Sequence, residues 1–214
     1  MDGLLLQSNL LLFIPAAFNL LITPGPAVLY IVTRSVDQGR RAGIVSVLGI
    51  QIGTLTHVFA AALGLSAILV TSALAFDVVK YLGAAYLIYL GIRTLLDRKP
   101  VVQSQTVERK TLKTIFSQGV IVAILNPKTA LFFFAFLPQF VDSARGSVPL
   151  QFLLLGAIFV GMALITDSVY ALLAGTAGRW LKGSPRFLRA QRYISGTIYI
   201  GLGVTTALAS GRSK

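Results

Sequence analysis

The chain has 214 residues, 55% of them hydrophobic and only 12% charged, with a mean hydropathy of +0.79. A soluble domain carries about 25% charged residues, so the composition excludes an ordinary water-soluble fold and marks an integral membrane protein. The net charge of +12 would suggest nucleic acid in a soluble protein, but its placement between apolar runs argues against that partner, and the lack of cysteine excludes disulfides and thiolate chemistry.

Residues 3–33 and 42–76 carry no charge. With roughly 20 apolar residues needed to cross a bilayer, six spans are predicted, at about 6–32, 44–70, 76–96, 115–138, 149–177 and 193–210. The start, Met1-Asp2-Gly3, has no basic n-region, and the apolar run behind it is too long for a signal peptide, so it is expected to remain as a helix.

The first span is interrupted by Thr23-Pro24-Gly25-Pro26, with Asn19 one turn before it. Proline removes a backbone donor and clashes with the preceding turn, which frees carbonyls about four residues upstream. The restarting half-helix offers N–H groups suited to a carboxylate, and the freed carbonyls suit a cation. The second span carries Gln51, the lone histidine His57, and Gly49 and Gly53 in a Gly-x-x-x-Gly spacing that favours close helix packing. His57 reads either as a hydrogen-bonded core residue or as a proton carrier.

The fourth span is interrupted by Asn126-Pro127-Lys128. Lys128 falls near the bilayer centre, where a charge costs roughly 3 kcal/mol. From there the headgroups lie about 15 Å away, beyond the reach of one lysine. In the fifth span Asp167 is the one acidic residue deep in a predicted helix. Two readings stand for it: a structural pair with Lys128, or a proton-coupling carboxyl. Tyr30, Tyr86, Tyr89 and Tyr170 read as packing or interface aromatics. For the breaks themselves, a proline kink repaired by a neighbouring helix competes with a binding site.

Basic residues set the orientation. The first, third and fifth connections hold 14 of the 19, from Arg34 through Lys113 to Arg192. Retention of such loops in the cytoplasm places both termini outside, and the same loops are expected to meet anionic lipid headgroups. The third and sixth spans align without gaps, Tyr81, Ile88, Leu90, Gly91, Thr94 and Leu96 matching Tyr193, Ile200, Leu202, Gly203, Thr206 and Leu208. The second and fifth align similarly through Val58, Ala60 and Gly64 with Val169, Ala171 and Gly175. Three spans per half is an odd number, so the expected fold is all-α, with two inverted three-helix repeats over residues 1–96 and 115–214 and a basic linker over 97–114. Paired breaks in such repeats mark a substrate site, here Thr23, Pro24, Gly25, Pro26, Asn126, Pro127 and Lys128, with Asn19 and Gln51 as further binding candidates and Asp167 and His57 as candidates for proton coupling.

There is no phosphate-binding glycine loop, no His-Glu-x-x-His and no catalytic constellation, so neither enzyme activity nor a metal or cofactor is expected. A secondary carrier is the simplest class. A small ion channel and a non-transporting membrane enzyme or assembly factor are the alternatives, and a homodimer is left open as its assembly.

Thr23-Pro24-Gly25-Pro26, Gly83-Ala84-Ala85-Tyr86-Leu87-Ile88-Tyr89-Leu90-Gly91 and Asn126-Pro127-Lys128 together resemble the LysE-type family of amino acid exporters. The resemblance extends over nearly the whole chain. It implies a bacterial inner-membrane carrier that moves small zwitterionic metabolites of amino acid type outward, driven by protons or the membrane potential. It also implies that both proline motifs belong to the transport site. Asp167 resembles an acidic position in the fifth span of such proteins.

Overall fold

The computed structural model describes residues 7–65, 73–96 and 109–181, with single positions between 193 and 208. The described residues form helices and turns, with no strand among them. In chain order these are α1 (Gln7–Ile22), α2 (Pro26–Gln38), α3 (Arg40–Ala60), α4 (Ala73–Leu96), α5 (Leu112–Ile124), α6 (Pro127–Leu131) and α7 (Val148–Leu181). A π-helical turn, Ala61–Leu65, extends α3; another, Phe132–Phe136, and a 3-10 turn, Leu137–Phe140, extend α6.

Arg40–Leu65 and Val148–Thr176 are each long and apolar enough to cross a bilayer. Two bent pairs can each complete another crossing: Leu10–Ile22 meets Pro26–Gln38 at 49°, and Leu112–Ile124 meets Pro127–Phe140 at 44°. α4 occupies the third predicted span, and the sixth lies largely outside the described residues. Leu11, Leu63 and Ile165 are each more than two-thirds exposed. A row of such residues is stable in lipid, where an apolar side chain loses nothing by facing outward.

Pro26 and Pro127 each occupy the first turn of a new helix, so they begin α2 and α6 where the sequence reading set them inside a helix. That position suits proline, because its missing N–H would have no partner there. The turn between α2 and α3 is the single residue Gly39 at φ +84°, a conformation that an L side chain rarely adopts.

α3 lies at the centre, packed on α5, α7 and α2. Its contact with α5 is backbone to backbone. A Cβ on Gly49 would fall 2.3 Å from the Phe116 carbonyl oxygen, and one on Gly53 2.5 Å from that of Val120. Gly156 on α7 instead makes room for a side chain of α3, since a Cβ there would meet Val58 Cγ1 at 2.5 Å. Below the second break Phe132 stacks on Phe159 at 4.7 Å, and Phe13 meets Phe140 edge-on at 5.4 Å. This aromatic core ties α1 and α7 to the segment after α6.

Candidate functional site

Each break leaves a carbonyl whose helical partner is a proline, four residues on. At the first break this is Ile22, which lies four residues before Pro26. It accepts from the Tyr170 hydroxyl at 2.7 Å. At the second it is Ala123, four before Pro127. It accepts from the Asn126 N–H at 3.1 Å and lies 3.1 Å from His57 Nε2, which donates in the Nε2–H tautomer. Tyr170 and His57 come from α7 and α3, so each break is repaired by a side chain from the other half of the chain. The repair by neighbouring helices expected for a proline kink is therefore present at both breaks.

The breaks are also joined directly. Lys128 Nζ donates to the Thr23 carbonyl oxygen, a group that Ala27 would have satisfied in an unbroken helix. The Thr23 hydroxyl donates to the Asn19 carbonyl at 2.7 Å. Asn126 caps α6 by accepting from the Lys128 N–H at 3.1 Å through its side chain. Gly25 holds the corresponding place before α2 in extended geometry, without a side-chain cap.

Between the breaks lies a cavity of about 40 Å³, room for a water molecule or two. Gly25, Gln51, Asn126, Lys128 and Asp167 line it. Asp167 and Lys128 come from α7 and the second break, and both line this cavity. Gln51 Nε2 donates to Asp167 Oδ2 at 2.9 Å. Gln51, Asp167, Lys128 and Asn126 are each less than 10% exposed.

Thr23, Pro24, Pro26 and Pro127 shape the breaks and stand outside the lining. Asn19 is exposed, and only its carbonyl takes part, through Thr23. His57 is buried beneath the second break, stacked on Phe133 at a centroid distance of 6.3 Å, and does not line the cavity. Thr54 and Thr129 line it without having been singled out from the sequence, as do Phe159 and Ala163. Helical spacing was the available signal. Thr54 lies three residues after Gln51, and Phe159, Ala163 and Asp167 form one stripe at intervals of four. The described residues contain no cluster of three metal-ligating side chains.

A helical membrane protein with a charged cavity between two broken helices has the architecture of a solute translocator. Residues 18–210 match the family described as LysE type translocator, and the chain belongs to that family, whose members are translocators and not enzymes. It is 32% identical over 210 residues to an uncharacterized membrane protein of Bacillus subtilis, covering 94% of this chain and 99% of that one. It is 30% identical over 193 residues to a homoserine/homoserine lactone efflux protein of Salmonella typhimurium, covering 88% and 90%. A leucine efflux protein of an Enterobacter species is 26% identical over 202 residues, covering 93% and 95%. No solved structure matches the chain.

Proposed function

We propose that the protein exports amino acids or related small zwitterionic metabolites from the cytoplasm, as a secondary carrier working by alternating access. The observation that carries this reading is the buried cavity where both breaks, Asp167 and Lys128 converge. Relatives named for the efflux of homoserine and of leucine support the substrate class. At about 40 Å³ the cavity is far smaller than the roughly 300 Å³ or more of small-molecule sites, so a substrate enters only as the helices part. Proton or membrane-potential coupling runs through Asp167, whose charge must change or be re-paired as substrate comes and goes.

The six spans are arranged as two inverted repeats, 1–96 and 115–214, in the bacterial inner membrane, with both termini outside and the 97–114 linker among cytoplasmic lipid headgroups. Pseudo-symmetry of this kind suits the reciprocal repair of the breaks by His57 and Tyr170. The test is to overexpress the protein and measure which amino acids accumulate outside the cells, against an Asp167→Asn control. Equal accumulation in both strains would count against the reading.

A further inference from the structure

The hydrogen-bonding capacity of the cavity lining is sorted by element. On the α3–α7 part, Gln51 Oε1 is buried and accepts no hydrogen bond. The Gln51 amide directs one of its two N–H groups to Asp167 Oδ2, and its oxygen is left for a ligand. Asp167 presents carboxylate oxygens and no donor when ionised. The Thr54 hydroxyl donates to the Ile50 carbonyl of its own helix at 2.9 Å, so its oxygen can only accept from a ligand. Three acceptors therefore line this part, against one further N–H of the Gln51 amide. On the second-break part the reverse holds. The Asn126 amide oxygen is engaged by the Lys128 N–H, which leaves the Asn126 amide nitrogen, and Lys128 is itself a cation.

We infer that Gln51 Oε1, Asp167 and Thr54 Oγ1 form a subsite for a primary ammonium group. A primary ammonium carries three N–H donors, one for each acceptor, and its charge meets the Asp167 carboxylate. A hydroxyl in its place brings one donor and no charge, so it leaves two of the three acceptors unmatched. An unmatched buried acceptor is what makes a site reject an analogue strongly. This inference rests on the amino acid export reading and adds the group on the substrate that the site requires.

The test uses purified full-length protein in proteoliposomes. The standard amino acids and homoserine are screened for transport, and each amino acid that moves is compared with its 2-hydroxy acid analogue as a competitor. Wild type should be inhibited by the amino acid and not by the hydroxy acid. Gln51→Leu and Thr54→Val should each raise KM for the amino acid about tenfold or more, the loss expected for a hydrogen bond to a charged group. Thr54→Ser, which keeps the acceptor, should behave as wild type. Competition by the hydroxy acid as effective as by the amino acid would overturn the subsite, as would Gln51→Leu and Thr54→Val proteins with unchanged KM. Wild-type vesicles that move no amino acid would overturn the export reading, and this inference with it. The two failures are distinct, since the first leaves wild-type flux intact.

Discussion

Lys128 reaches across from the second break to the Thr23 carbonyl of the first. One side chain thus neutralises a backbone acceptor in one half of the chain while its own backbone N–H is capped by Asn126 in the other. Lys128 also shares the cavity with Asp167. Removing it should leave the Thr23 carbonyl and the Asp167 charge uncompensated together. Lys128→Met is expected to lower the melting temperature of the purified protein clearly. The double variant with Asp167→Asn should lose less than the sum of the two single losses, with a coupling of about 1–3 kcal/mol. Additive losses in that thermal double-mutant cycle would show that the two residues act independently.

Asp167→Asn keeps the shape of the side chain and still accepts from Gln51. Insertion and expression should therefore be retained, while gradient-driven export in proteoliposomes is lost. Undiminished transport under an imposed proton gradient would remove Asp167 from the coupling step.

His57 was one of two candidates for proton coupling. Its ring nitrogen serves the Ala123 carbonyl, and the ring packs on Phe133 and Phe134. His57→Phe should preserve the packing and cost one hydrogen bond, about 1 kcal/mol of stability. The pH profile of export should not move. A shift of that profile toward the behaviour of a protein lacking one titrating group would restore His57 to the coupling path.

The central contact of α3 with α5 depends on the absence of side chains. Gly49→Ala and Gly53→Ala push a methyl group against backbone oxygens of Phe116 and Val120, which cannot swing away. Overpacking of this sort costs about 1–3 kcal/mol, and lower melting temperatures in detergent are expected. Gly161→Ala, with nothing within 4 Å of the added carbon, is the matched control and should be neutral.

Much of this was readable in the residues. Proline motifs inside apolar runs locate both breaks, and the Gly49–Gly53 spacing locates the close helix contact. The long isolation of Asp167 and Lys128 from other charges points to one shared site. What could not be read depends on direction rather than composition. The freed carbonyls of Ile22 and Ala123 can be deduced from Pro26 and Pro127. Which donors meet them depends on how α7 and α3 cross the breaks, so Tyr170 reads as a packing aromatic and His57 as either a hydrogen-bonded core residue or a proton carrier. Asn19 has the same difficulty. Its place one turn before Thr23 is visible in the sequence, but the outward rotation of its side chain follows from how α1 packs. Gln51 and Thr54 acquire meaning only once their existing hydrogen bonds are known, because those bonds decide which atoms remain for a ligand.

The single-residue turn at Gly39 has a mechanical consequence. A connection this short gives α2 and α3 almost no freedom to tilt separately, so a rotation of one is transmitted to the other as from two arms of a bracket. Under the proposed alternating access, the pivot falls at the other end of α2, at Thr23–Gly25, where the chain is already bent and α1 can stay seated on its aromatic core. Spin labels placed on α2 and α3 should therefore keep their mutual distance through a transport cycle, while either one moves relative to α1.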